Sequence, residues 1–184
     1  MIWSVTGHRP DKLGGYGPEA KANRQNFANA IIPLLLRDVS TDSTLIIGMA
    51  QGWDQAMAWA CVQYKVPFVA AVPFKGQEDP WYGDAKLEYQ DLLGAALRVE
   101  YVCEPGYHPR KMQMRNEWMI NCSDAVVALW NHTGGGTANA VAYANSKGRE
   151  VWNVWELWKQ WPSIDFESTD IKLLEQIKEN HANR

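Results

Sequence analysis

"DAVVALWNHTGGGTANAVAYA", residues 124–144, decides how the chain is read. The apolar run from Ala125 to Trp130 has the length and composition of a buried strand. Three glycines follow, and then a stretch from Thr137 to Gly148 that reads as a helix. Strand, glycine loop and helix in that order make one βα unit of a parallel sheet. Glycine reaches backbone conformations closed to other residues and lets a partner approach the main chain. The first N–H groups of a helix have no partner within it. Gly134, Gly135, Gly136 and Thr137 are therefore expected to form a cradle for a phosphate or carboxylate. The loop is neither a Walker phosphate loop nor the dinucleotide fingerprint.

The same rhythm runs through the rest of the chain. Strands are expected at residues 2–6, 44–48, 67–74, 98–102, 125–130 and 150–155. Helices are expected at 18–39, 53–65, 83–96, 109–123 and 137–148, with Pro33 kinking or breaking the first. Six strands alternating with five helices predict an α/β domain over residues 1–155, built on a mostly parallel sheet flanked by helices. Residues 156–184 leave the pattern and are read as a C-terminal tail, a polar linker with a short amphipathic helix near Asp170 to Asn180.

In such a sheet, ligands bind at the carboxyl ends of the strands. Most of the fourteen glycines fall in the loops on that edge, while the opposite loops are plainer. The first loop offers Gly7, His8 and Arg9 as ligand contacts. The second, "GMAQGWDQ", offers Gly48, Met49, Ala50, Gly52 and Asp54. Asp54 either caps the second helix or binds a ribose hydroxyl. Pro73 opens the third loop, where Glu78 and Asp79 are candidate acid, base or hydroxyl acceptor. Arg115 and Asn116 stand on the helix before the glycine loop, and arginine suits bidentate phosphate contact. Arg110 and Lys111 are read as a solvated helix face. No histidine spacing resembles a metal set, and no metal or cofactor is expected.

Composition narrows the function classes. A net charge of −3 argues against broad binding of nucleic acid or of a membrane surface. Three cysteines without short spacing imply neither a disulfide framework nor a zinc site. No signal peptide or membrane-length apolar run is evident, so a cytoplasmic protein is expected. Ten tryptophans are many for one core, and Trp152, Trp155, Trp158 and Trp161 recur every third residue. Indole surface near the C-terminal edge needs a cover, either the tail or a second copy of the chain, and a homodimer is expected.

Five motifs in order, "TGHRPDKLGGYG", "GMAQGWDQAMAWA", "PFKGQEDPW", "RNEWMINCSDAVVALWN" and "GGGTANAVAYA", resemble the YpsA-type branch of the SLOG superfamily. Lonely-guy phosphoribohydrolases and the DNA-processing protein A family belong to the same superfamily. The resemblance spans about Val5 to Trp155 and implies a Rossmann-like domain that binds a nucleotide or nucleotide-derived ligand at the glycine loops. Arg115 resembles the lonely-guy arginine before the glycine loop, and Gly134 to Thr137 resemble the loop itself. Those hydrolases carry a catalytic Glu three residues later, where this chain has Ala140.

Two function classes follow. The first is a sensing or sequestering module that captures a nucleotide without chemistry. The alternative is an enzyme that hydrolyses the N-glycosidic bond of a nucleoside monophosphate through Glu78, Asp79 or Asp54.

Overall fold

A computed structural model describes residues 1–37 and 43–163. Among the described residues the strands are β1 (Ile2–Gly7), β2 (Thr44–Ile47), β3 (Phe68–Val72), β4 (Arg98–Tyr101), β5 (Ala125–Leu129) and β6 (Glu150–Asn153). The helices are α1 (Pro18–Arg37), α2 (Trp53–Tyr64), α3 (Asp84–Ala95), α4 (Pro109–Asn121), α5 (Gly136–Ser146) and α6 (Trp155–Gln160). A short 3-10 turn, Pro10–Lys12, follows β1.

The strands form one sheet in the order β4-β3-β2-β1-β5-β6, and every pairing is parallel. The chain steps outward from β1 to β4, then returns to lay β5 on the other side of β1. The reversal lies between β1 and β5, and sheets of this kind bind ligands at the carboxyl ends of the strands at such a point.

Alternate residues of each strand face opposite layers. Trp3, Val5, Leu45, Ile47, Val127 and Leu129 join the larger core with α1, α2 and α6. Val126 and Ala128 face α4 and α5, where they pack with Ile120, Ala140, Val141 and Ala144. β3 and β5 are buried along their whole length, as strands covered on both faces must be.

The sequence reading differs from the structure in three places. Pro33 does not end α1, which continues to Arg37. Ile31, Ile32, Leu34 and Leu35 around it are all buried, and their packing outweighs the local hydrogen bond that proline removes. β6 stops at Asn153 instead of Trp155. There the Asn153 side chain turns from the sheet to local contacts: its Oδ1 accepts the N–H groups of Trp130 (3.1 Å) and Trp155 (3.3 Å). The residues read as the start of a polar linker instead form α6. The helix expected near Asp170 to Asn180 lies outside the described residues.

α6 also answers the tryptophan question. Trp158 and Trp161 stand edge-on to Phe27 of α1, with ring centroids 5.2 and 5.7 Å away. Trp161 Nε1 donates to Asn23 Oδ1 at 2.7 Å, and Trp155 stands edge-on to His8 at 5.8 Å. Trp3, Trp53 and Trp152 are buried outright. Trp155, Trp158 and Trp161 are thus partly covered within the chain and remain half-buried.

Gly7, at the end of β1, makes room for the Trp53 indole at the start of α2; a Cβ there would overlap the ring. Gly7→Ala is therefore expected to destabilise the fold by about 1–3 kcal/mol through overpacking, measured by urea unfolding.

Candidate functional site

Two buried charged residues stand against the carboxyl end of β2. Asp54, in the first turn of α2, is 5% exposed and accepts the Ala50 N–H at 3.3 Å. Arg115 of α4 is 4% exposed and donates to the Gly48 carbonyl and, at 3.5 Å, to that of Ala71. Its Nε donates to Asn116 Oδ1 at 2.9 Å. α2 and α4 lie on opposite faces of the sheet, and their charged groups converge on Gly48, where a Cβ would collide with both. Burial pushes the Asp54 carboxyl above its ordinary range, and the charges of Arg115 and Arg9 oppose that shift. Burial likewise lowers Arg115, with Asp54 opposing.

The other second-loop candidates are also held by the fold. Gly52 has φ +105, and a Cβ on it would come within 2.6 Å of the His8 carbonyl. Met49 and Ala50 are buried, and the Met49 carbonyl accepts from Gln55 Nε2 at 3.3 Å. The carbonyl of buried Pro73 accepts the Cys103 N–H at 3.0 Å. Gly7, Gly48 and Gly52 thus each have a packing reason to be glycine, and Arg115 is buried.

The glycine loop is different. Gly134, Gly135 and Gly136 are exposed, and an added Cβ on any of them would meet nothing within 4 Å. Gly135 has φ +126 and precedes α5, whose N-terminus carries no side-chain cap. Thr137 is half-buried in the first turn. No contact within the fold requires three glycines here, and the space above them is open.

This loop is open yet firmly held. Asn131 Oδ1 accepts from Thr133 N (3.1 Å) and Thr133 Oγ1 (2.6 Å), and lies 2.6 Å from His8 Nε2. Trp130 Nε1 donates to the Thr133 carbonyl at 2.8 Å. Lys12, reaching over from the turn after β1, donates to Thr133 Oγ1 at 2.6 Å and to Gly134 O at 3.4 Å. Asn153 Nδ2 donates to the Trp130 carbonyl at 2.8 Å, tying the loop to β6. Asn131, Lys12 and Asn153 were not candidates from sequence. Their signal is faint: a polar residue just past the end of a strand, with partners that only the strand order brings close.

His8 is 4% exposed, and burial lowers its pKa below the ordinary value of 6.5, opposed by the hydrogen bond to Asn131. Arg9 beside it is exposed and faces a cleft of about 690 Å³ between the loops after β3 and β4. Asp79 lines that cleft and pairs with Lys86 at 3.4 Å. Glu78, between the cleft-lining Gln77 and Asp79, is half-buried, and its carbonyl accepts the Trp81 N–H at 2.9 Å. Ala140, at the position of the lonely-guy glutamate, is fully buried against Ile120 and Val126.

The YpsA family model, of the YspA SLOG family, matches residues 3–156 and so takes in the whole sheet. The chain belongs to the YspA SLOG family. This SLOG protein is similar to YoqJ, an uncharacterized SPbeta prophage-derived protein of Bacillus subtilis strain 168. The two are 34% identical over 141 residues, 66% of this chain and 78% of YoqJ. Among solved structures, DNA processing protein A of Helicobacter pylori covers 95% of this chain and 81% of its own, with TM-score 0.58 and 12% identity. DNA processing protein A of Streptococcus pneumoniae covers 82% of this chain with TM-score 0.53 and 17% identity. This chain matches only 49% of that protein's length, and likeness at such identities concerns the fold.

Two measurements test this edge of the sheet. Arg115→Ala leaves the Gly48 carbonyl without its buried Arg115 donor and removes a charge that opposes the upward shift of Asp54, and is expected to cost about 1–3 kcal/mol in urea unfolding. Adding Asp54→Asn should recover part of that loss. For His8, the folded pKa lies below the unfolded one, so the unfolded chain takes up a proton more readily. The stability His8 contributes is complete above about pH 6.5 and falls as the pH drops through the interval down to the folded value. Thermal melts between pH 8 and 5 should show that decline, and His8→Gln should flatten it.

Proposed function

We propose that this SLOG protein binds a nucleotide or nucleotide-derived ligand through a phosphate seated on Gly134–Thr137, as a sensing or sequestering module. The observation that carries the reading is the glycine loop itself. It is exposed, unrequired by packing, and held in place by Lys12, Asn131 and Trp130. The uncapped start of α5 presents unpaired N–H groups and the positive end of the helix dipole, which together favour an anion. Lys12 adds a positive charge at the rim, and Arg9 adds one beside the cleft.

Binding without chemistry is favoured by the state of the acids. Ala140 offers a methyl group to the core, Asp54 is enclosed with Arg115, and Asp79 pairs with Lys86. None of these stands free at the glycine loop to protonate a leaving base, and Glu78, half-buried in the loop after β3, is the acid that the hydrolase alternative would need. Three free cysteines suit a reducing cytoplasm, and no described helix is long and apolar enough to cross a membrane. The half-buried Trp155, Trp158 and Trp161 leave indole surface at the C-terminal edge for a second copy of the chain.

A second reading is single-stranded DNA, which the Helicobacter pylori relative binds according to its structural description. Tyr82 and Tyr107, 90% and 72% exposed on this edge, favour it, since single strands are held by aromatic stacking and phosphate contacts. Lys111 does not add to that surface, because its Nζ already donates to the carbonyls of Glu104, Pro105 and Gly106.

Gly134 is the clean position for a test, since Gly135 has φ +126 and any side chain there strains the backbone. Gly134→Val is expected to keep the wild-type melting temperature and to weaken ADP binding about tenfold or more by calorimetry, a loss of about 1.4 kcal/mol. Unchanged affinity would remove the cradle. Oligothymidylate that outcompetes ADP in the same titration would favour the DNA reading.

A further inference from the structure

The glycine loop accounts for a phosphate and leaves the other end of the ligand unassigned. The cleft of about 690 Å³ lies further along the same edge and reaches back to Arg9 at the end of β1. Gln77 forms part of its wall. The residue is 4% exposed, and both Nε2 and Oε1 are buried without a hydrogen-bond partner. Buried side-chain amides are almost always paired, and an unpaired one is a standing cost to the fold.

The loop around Gln77 does not depend on that amide. Its turns are closed by main-chain bonds, Asp79 N to Gly76 O at 3.1 Å and Trp81 N to Glu78 O at 2.9 Å. Gly76, at φ +88, makes the preceding bend. The amide is thus placed inward by a loop that makes no use of it. The rest of the cleft suits a flat ring. Phe74 is buried at its base, and Tyr107, 72% exposed, stands edge-on to Phe74 with centroids 6.1 Å apart. Lys111 Nζ already covers the Phe74 ring at 5.7 Å, so Tyr107 supplies the open aromatic face.

A primary amide sets a donor beside an acceptor. That is the complement of a nucleobase edge, as in the paired contacts of glutamine with adenine. We propose that this cleft is the base-binding subsite of the ligand held at the glycine loop, with Gln77 reading the hydrogen-bonding edge of the base and Tyr107 stacking on its face. The proposal rests on the nucleotide reading above. Both amide atoms are closed to solvent, so the base engages Gln77 after a small shift of the cleft wall. From β5 to β3 is three strand spacings, roughly 14 Å. The ligand that touches both ends is therefore an extended one, a nucleoside diphosphate or longer.

Calorimetric titration with ADP, GDP, CDP, UDP and ribose 5-phosphate tests the subsite. The wild-type chain should separate its best and worst diphosphates at least tenfold. Gln77→Leu should bring that ratio close to one, leave ribose 5-phosphate unaffected, and keep or raise the melting temperature, because an orphaned amide has been removed. Tyr107→Ala, at an exposed position, should weaken all four diphosphates about tenfold and again spare ribose 5-phosphate. Unchanged ranking in Gln77→Leu together with unchanged affinities in Tyr107→Ala would overturn the base subsite. If Gly134→Val still lost affinity in that case, the nucleotide reading would stand without it. A wild-type chain that binds none of these compounds overturns both.

Discussion

Arg115 and Asp54 each close on Gly48 at the carboxyl end of β2, and the packing of that edge of the sheet follows from their approach. One charge comes from α4 and the other from α2, so the two helical layers are joined across the end of β2. Two charges this deep in the protein are tolerable only with each other and with hydrogen bonds to absorb them. The Gly48 and Ala71 carbonyls and Asn116 serve Arg115, and the Ala50 N–H serves Asp54. The glycines nearby follow from the same closeness: Gly48 yields to the charged pair, Gly52 to the His8 carbonyl, and Gly7 to Trp53. Packing this close fixes where β1 and β2 end, and thereby where His8 and Arg9 stand.

The glycine loop has the opposite character. It is exposed, yet five side chains from three parts of the chain hold it: Lys12, Trp130, Asn131, Thr133 and Asn153. A loop ordered before its ligand arrives avoids the entropy cost of ordering on binding. Phosphate recognition by main-chain N–H groups depends on such order, because each N–H must already point at the anion. The carboxyl edge thus combines buried charged residues, an exposed glycine loop ahead of α5, and a neighbouring cleft with an unpaired amide.

Much of the fold was legible because a parallel sheet writes itself plainly. The apolar runs at Val127 and Ala70 lie in strands buried on both faces, and each is followed by a loop and a helix. At Pro33, read as a kink or a break, the local cost is visible in sequence while the packing that carries α1 past it is not. The turn at Asn153 was hidden because its partner, Trp130, stands just past the end of another strand, β5. In the site, the second glycine loop reads from sequence as a second ligand loop, and its glycines also make room for the protein's own side chains and main chain. Arg115 had the chemistry of a phosphate ligand, and only its burial shows it facing Gly48. Gln77 carried no pattern at all, since an unpaired amide is a property of its surroundings.

The central claim is that a nucleotide seats its phosphate on the glycine loop, and hydrogen–deuterium exchange with and without ADP tests it most directly. The account predicts slowed exchange at the amides of residues 133–138 on adding ADP, with little change on the opposite edge of the sheet. ADP that binds while those amides exchange as before would contradict it.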